Sequence, residues 1–157
     1  MTTKPKYFVD DIHEAAKKGQ LTSIQYLVEQ CHANVEAKSN YGYTPLINAS
    51  RNGHLDVVKY LVEQCHTNVE AKHKDGYTPL ICASEKGHLD VVKYLVEQCH
   101  ANVEAKDNDG WTPLIFASEK GHLDVVKYLV EQGHAEITEI RGYGEIKRYL
   151  ESKKTLK

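Results

Sequence analysis

Cysteine and histidine stand side by side at three places in the chain, and these pairs are the first residues that could do chemistry. Thiolate and imidazole suit structural zinc, which needs four ligands about 2.0–2.3 Å from one point. Adjacent residues seldom converge on one ion, and the pairs are 34 residues apart. We therefore expect no metal and no cofactor at the pairs, which are Cys31-His32, Cys65-His66 and Cys99-His100.

The cysteines also bear on the compartment. Three of the four, Cys31, Cys65 and Cys99, keep the same 34-residue step, and the fourth is Cys82. Equivalent positions in stacked units lie roughly 8–10 Å apart, whereas a disulfide needs Cα atoms within about 7 Å. The spacing thus predicts unpaired thiols, which fit a reducing intracellular compartment such as the cytoplasm.

Catalysis has little support in the sequence. No phosphate-binding glycine loop, nucleophile elbow or kinase motif occurs. Histidines of the Gly-His pairs, His54, His88 and His122, recur with the same period and are explained as residues that frame a repeat near a helix start. We therefore predict that the protein is not an enzyme.

The charge balance and hydropathy exclude two further classes of partner. Lysine and arginine total 20 and aspartate and glutamate 22, giving a net charge of −2. A nucleic-acid surface needs clustered excess cations, and no apolar run approaches the about 20 residues of a membrane span. The first ten residues also lack the apolar segment of a secretion signal. We expect binding neither to nucleic acid nor to membranes.

The 34-residue period extends to whole segments. Tyr43–Ile47 returns at 77–81 and, with tryptophan first, at 111–115; the run Gly53–Val62 also returns twice. Such a period is typical of a solenoid, in which each unit buries its apolar face against its neighbours.

Local signals predict two helices in each unit. Thr44 stands where a helix N-cap belongs, and Pro45 follows at the first helical position. Gly53 is placed to end this short helix. A second helix is predicted from Leu55, with apolar residues at helical spacing.

This unit resembles the ankyrin repeat, with T-P-L-I-x-A at Thr44–Ala49, Thr78–Ala83 and Thr112–Ala117. The resemblance implies an all-α solenoid of stacked helix-turn-helix units with short hairpin-like turns. Two features depart from the family pattern. Isoleucine replaces the usual histidine after T-P-L, and the unit has 34 residues instead of about 33. We assign the extra residue to one histidine per unit and expect a lengthened helix end that re-aims the loop. These histidines are His32, His66, His100 and His134.

The predicted organisation is one domain spanning residues 1–157. An N-terminal capping repeat covers about 5–38, full repeats cover 39–72, 73–106 and 107–140, and a capping helix and tail cover 141–157. This gives four helix pairs and one short C-terminal helix. The basic end, Lys153–Lys157, is predicted to be a frayed tail.

Differences between the units single out a candidate binding surface. The core leucines and alanines are identical, and the changes fall in the turns and on the first helix. Helical spacing places these changed positions on one continuous strip, which is the concave surface of a stacked array. We name the following residues the variable strip: Tyr41, Tyr43, Asn48, Arg51, Asn52, Lys74, Asp75, Tyr77, Glu85, Lys86, Asp109, Trp111, Phe116, Glu119 and Lys120.

The family resemblance implies a non-catalytic scaffold or adaptor for a protein partner. We expect the chain to be a monomer and to bind that partner through this strip. Its aromatic residues Tyr43, Tyr77, Trp111 and Phe116 would be the anchors. The alternative is that the strip varies freely while Phe116 and Cys82 fill the core. The array would then be a structural spacer without a dedicated ligand, or an engineered consensus-like scaffold.

Overall fold

The computed structural model describes residues 9–156, so the start of the predicted N-terminal cap and Lys157 lie outside the described residues. Within them the chain forms nine helices and no strand. The helices alternate between two packed rows: α1, α3, α5 and α7 form the inner row, and α2, α4, α6, α8 and α9 form the outer row. Their bounds are α1 Val9–Lys18, α2 Leu21–Glu29, α3 Pro45–Arg51, α4 Leu55–Glu63, α5 Pro79–Lys86, α6 Leu89–Glu97, α7 Pro113–Lys120, α8 Leu123–Glu131 and α9 Gly144–Lys154. The predicted all-α repeat stack is confirmed.

Each inner helix from α3 onward begins with the predicted cap. The backbone N–H of Ile47 donates to the Thr44 hydroxyl over 3.2 Å, and Pro45 occupies the first turn. The same arrangement recurs at Thr78 and Thr112. These helices have seven or eight residues, too few to be stable alone, so packing against the neighbouring units must hold them.

The core runs unbroken between the two rows. Leu61 and its equivalents Leu95 and Leu129 are fully buried on the outer helices, in one hydrophobic cluster with Ala49 and its equivalents on the inner helices. Leu46 and its equivalents are buried in the same cluster from the inner row, so identical residues fill the core in each full unit.

The extra residue of each unit lies in the turn that closes the outer helix. Helix α4 ends at Glu63, and His66 follows with a φ of 53°. The N–H of Thr67 reaches back to the carbonyl of Leu61, six residues earlier, one residue more than in the common glycine-ended closure. The extra residue therefore widens the closing turn and does not prolong the α-helix as predicted. All four equivalent histidines adopt the same left-handed backbone, so each unit closes with the same turn, and the stack stays intact as predicted.

The C-terminal cap consists of an outer helix without an inner one. In α9 the Tyr149 hydroxyl donates to Glu131 over 2.8 Å, as Tyr128 donates to Glu97 over 2.9 Å in the preceding unit. The chain preceding α9 crosses the last inner helix closely, since a Cβ added at Gly142 would lie 2.6 Å from the Ser118 carbonyl oxygen.

The first two residues of the basic end differ from the prediction of a frayed tail, whereas Leu156 is 82% exposed beyond the helix and Lys157 lies outside the described residues. Helix α9 continues through Lys154, and the Lys153 ammonium lies 3.5 Å from the Glu131 carboxylate and over the Tyr149 ring. A positive charge in the last turn of a helix interacts favourably with the helix dipole, so Lys153 and Lys154 stabilise this end of α9.

Candidate functional site

The turns that precede the inner helices position the aromatic residues of the variable strip. In the second unit the Asp75 N–H donates to His73 Nδ1 over 3.0 Å; in the third, two N–H groups donate to Asp107. Successive turns are joined by backbone bonds, Lys74 N–H to the Tyr41 carbonyl and Asn108 N–H to the Asp75 carbonyl. The turn tips therefore form a ladder that fixes the side chains between them.

An unbroken series of five rings crosses three units at the base of these turns. Ring centroids are 4.7 Å apart for Tyr43 and His73, 4.6 Å for His73 and Tyr77, 4.8 Å for Tyr77 and Phe116, and 5.2 Å for Phe116 and Trp111. The planes are tilted by 31–55°, an arrangement that aromatic rings favour. We name these five residues the aromatic run.

A guanidinium group lies against each end of the aromatic run. Arg51 Nη1 donates to the Tyr43 hydroxyl over 2.7 Å, and its Cζ is 5.7 Å from the ring centroid. At the other end the Cζ of Arg141 lies 4.3 Å from the Trp111 ring centroid, within the range of a cation–π contact. Arg141 also forms an ion pair with Glu139, at 2.9 Å. Each terminal ring of the run, Tyr43 and Trp111, is therefore already contacted by an arginine of the same chain.

Phe116 differs from its prediction as an exposed anchor. Its side chain is only 4% exposed and packs with Ile81 and Ala105, with Tyr77 and Trp111 partly buried against it. Phe116 therefore supports the two rings above it instead of presenting its own surface.

The remaining strip residues divide between partly buried and exposed positions. Asn48 is half-buried, and its amide lies 3.2 Å from His13 Nδ1 of the neighbouring inner helix. The side-chain amide of Asn52 donates to the Asn48 carbonyl over 2.8 Å. The half-buried members are Tyr43, Asn48, Arg51, Tyr77, Glu85 and Trp111. The exposed members are Tyr41, Asn52, Lys74, Asp75, Lys86, Asp109, Glu119 and Lys120.

Two residues of this surface were left out of the predicted variable strip. His73 is buried between the Tyr43 and Tyr77 rings of the aromatic run, and Arg141 lies over Trp111 at its end. A signal existed for His73, because it replaces Ser39 and Asp107 at the same repeat position. None existed for Arg141, which lies beyond the last full unit and has no equivalent to compare.

Burial shapes the ionisation of the strip. Burial lowers the pKa of His73 below its usual value, and the nearby Asp75 carboxylate partly opposes this by raising the same pKa. Burial, and then the nearby Glu85 carboxylate, raises the pKa of Tyr77 to about 12. Burial also raises the pKa of the Cys82 thiol to about 12. These groups are neutral near pH 7, so Cys82 lacks the thiolate character of a reactive cysteine.

The Cys-His pairs lie away from this surface, where the outer helices close. Cys65 and Cys99 are half-buried and burial raises the pKa of both thiols. In the described part of the chain no three His, Cys, Asp or Glu groups are placed to share a metal ion. Nor does any helix between residues 9 and 156 have the length and apolar character to cross a membrane.

Comparison with known proteins agrees with the architecture. The family model described as ankyrin repeats in three copies matches residues 12–71 and 65–140. No curated protein matches the chain. Ankyrin repeats are generally protein–protein interaction modules and are typically non-catalytic. Since the matched segments cover most of the sequence and the helices stack in the expected two rows, the chain belongs to the ankyrin repeat family.

Proposed function

We propose that the chain is a non-catalytic protein-recognition module that binds a protein partner through the variable strip. The observation that carries this proposal is the aromatic run, which continues without a break across three units beside side chains that differ from unit to unit. Partly buried aromatic residues at the centre of a surface, with polar residues around them, are the usual composition of a binding hot spot.

The strip is rigid before any partner arrives. Turn-to-turn hydrogen bonds fix the tips, and Phe116 packs beneath Tyr77 and Trp111. A surface that is already ordered loses little conformational entropy on binding. Tyr41, whose side chain is 72% exposed at a turn tip, adds contact area beside the run.

The charges of the strip favour a protein over a polyanion. Lys86 and Lys120 each neighbour a glutamate in sequence, and the Lys86 ammonium lies 3.8 Å from Glu85. Mixed charges of this kind give specificity toward a protein surface, whereas nucleic acid requires an excess of cations.

A cavity of about 470 Å³ opens at the N-terminal edge between α1 and α2, away from the strip. We infer a monomer acting inside the cell, where its four free cysteines stay reduced.

The test replaces the two partly exposed rings of the run. Trp111→Ala and Tyr77→Ala are each used to capture proteins from a cell extract and are compared with the unchanged chain. Tyr128→Phe on the outer row serves as the matched control. We expect both strip variants to lose a bound protein that the control retains, with urea unfolding showing that the variants remain folded. An unchanged set of captured proteins would overturn the proposal and favour a spacer array.

A further inference from the structure

The three units carry an aromatic residue at the same repeat position, but only two of the three have a guanidinium beside it. Tyr43 is contacted by Arg51, and Trp111 by Arg141. Among the described residues no arginine or lysine lies over the ring of Tyr77, and its hydroxyl has no hydrogen-bond partner there. In the described part of the chain the middle unit therefore has no cation on its aromatic ring, although Arg51 is near enough to influence His73 and Cys82 of that unit.

The middle unit has carboxylates where a cation would bind. Glu85 occupies the repeat position of Arg51, eight residues after the aromatic ring, and its carboxylate is near enough to Tyr77 to raise the pKa of the tyrosine hydroxyl. Its side chain is 14% exposed, and the Lys86 ammonium at 3.8 Å is its one neighbouring cation within 4 Å among the described residues. Asp75 at the turn tip is 83% exposed and lies 3.9 Å from His73, which is neutral.

An internal precedent shows what completes such a group. At Trp111 the Arg141 guanidinium lies on the ring while its nitrogen pairs with Glu139, and Glu119, which occupies the Glu85 position one unit on, is also close enough to interact. Ring, carboxylate and guanidinium thus form one arrangement in the third unit. The second unit repeats the ring and the carboxylate alone.

We propose that Tyr77, Glu85 and Asp75 receive an arginine side chain of the protein partner. This rests on the proposed function of the strip and specifies the chemistry that it recognises. The partner's guanidinium donates to the Glu85 carboxylate and to the Tyr77 hydroxyl, as Arg51 donates to the Tyr43 hydroxyl. Asp75 contacts the outer edge of the same group from the turn tip.

Arginine fits this place better than lysine. Its planar group carries five donors in a fixed fork, so one side chain reaches a carboxylate and a hydroxyl together and still lies against a ring. A lysine ammonium is a compact, strongly hydrated charge, which Lys86 already supplies beside Glu85. The chain's own Arg51 donates to the Tyr43 hydroxyl, and among the residues that the structure describes no ion pair within 4 Å joins it to Glu85.

The experiment titrates the whole chain with acetyl-arginine amide and follows the Tyr77 and Glu85 signals by NMR, with acetyl-lysine amide as the chemical control. We expect the arginine compound to shift these signals and to bind at least several-fold more tightly than the lysine compound. Glu85→Gln should weaken arginine binding about tenfold, as loss of a hydrogen bond to a charged group predicts. Glu119→Gln, the same change one unit away, should leave it unaltered.

Two exchanges between units sharpen the test. Glu85→Arg gives the second unit the residue of the first, so the site is filled from within and binding should disappear while the fold persists. Arg51→Glu gives the first unit the residue of the second, and a new arginine site should appear at Tyr43. Equal binding of both compounds, or an unchanged affinity in Glu85→Arg, would overturn the inference. If Trp111→Ala abolishes partner capture while acetyl-arginine amide fails to bind, the strip binds a protein but not through arginine.

Discussion

The two sides of the stack differ in whether their side-chain contacts repeat from unit to unit. On the outer row each helix from α4 to α9 makes the same bond: a tyrosine hydroxyl donates to a glutamate of the preceding unit. The distances are 3.1 Å for Tyr60–Glu29, 2.9 Å for Tyr94–Glu63, 2.9 Å for Tyr128–Glu97 and 2.8 Å for Tyr149–Glu131. On the variable strip the backbone bonds between turn tips also repeat, but the side-chain contacts of the aromatic residues Tyr43, Tyr77 and Trp111 differ from unit to unit.

This difference separates what holds the array together from what gives it a specific surface. The outer bond needs only a neighbouring unit, so identical residues serve at each step, and a lysine lies over the next tyrosine ring in the same way. At the strip the same backbone carries arginine, glutamate and glutamate at one helical position. The residue type at this position can therefore differ between units while the backbone and the stacking stay the same.

The largest effect should come from removing the final member of the outer row. Deleting residues 142–157 uncovers the last unit and removes Ile146 and Leu150, which are 5% and 0% exposed. Burial of two such side chains contributes about 3–6 kcal/mol. We expect a markedly lower free energy of unfolding in urea and reduced solubility.

A shorter deletion provides the control for the cap. Removing only residues 155–157 leaves α9 and its Tyr149–Glu131 bond in place, so stability should stay near that of the full chain. If the long deletion is as stable as the parent, α9 is not the cap of this stack.

The next largest effect tests whether Phe116 belongs to the core or to the surface. Phe116→Ala should cost about 3–5 kcal/mol of unfolding free energy, because it opens a cavity beneath Tyr77 and Trp111. Phe116→Leu keeps most of the volume and should cost less than about 1.5 kcal/mol. Urea unfolding measures both, and partner capture by Phe116→Leu should be normal. A loss of capture in a stable Phe116→Leu variant would restore Phe116 to the contact surface.

A smaller effect is expected at the regular outer bond. Tyr94→Phe removes a hydroxyl that donates to Glu63 over 2.9 Å from a side chain only 9% exposed. We expect a loss of about 1 kcal/mol in unfolding free energy and no change in partner capture. A double-mutant cycle with Glu63→Gln checks the pairing. Strictly additive losses would show that the two residues contribute independently.

The sequence was sufficient for the stack because its signals are local and repeated. Thr44 and Pro45 start a helix by their own chemistry, and the 34-residue period repeats that instruction. The turn at His66 was harder to predict, since placing one extra residue in a turn or in a helix depends on the backbone of the whole loop.

The candidate site was only partly predictable for a related reason. Sequence comparison finds positions that differ, but it does not tell whether a differing side chain points outward. Phe116 and Asn48 share one repeat position, yet Phe116 is buried while Asn48 is half-exposed. His73 differs between units as visibly as Tyr77, and its place between two tyrosine rings follows only from the stacking of the turns.

The smallest effect concerns His73, which connects Tyr43 to the rest of the aromatic run. Its Nδ1 accepts the Asp75 N–H, so the native turn requires the neutral ring. Burial lowers its pKa in the folded chain; Arg51 acts in the same direction, while Asp75, Glu85 and Asp107 oppose it. Between that lowered pKa and the ordinary value of about 6.5 the unfolded chain binds the proton more readily. Stability from His73 is therefore complete above about pH 6.5 and is lost as the pH falls toward the folded pKa.

His73→Asp gives the second turn the residue that Asp107 supplies in the third, where the carboxylate accepts two N–H groups without needing to be neutral. Unfolding free energies of both chains, measured in urea between about pH 5 and pH 8, isolate the His73 contribution because the other eight histidines are common to both. We expect the parent to lose more stability than His73→Asp on the acid side and to match its slope above neutrality. Parallel profiles over the whole range would mean that the turn tolerates the imidazolium. Asp75, which is mostly exposed and lies 3.9 Å from Nδ1, would then have to stabilise the charged ring fully. In that case the strip would differ from the outer row in its residues, but protonation of His73 would not make its stability depend on pH.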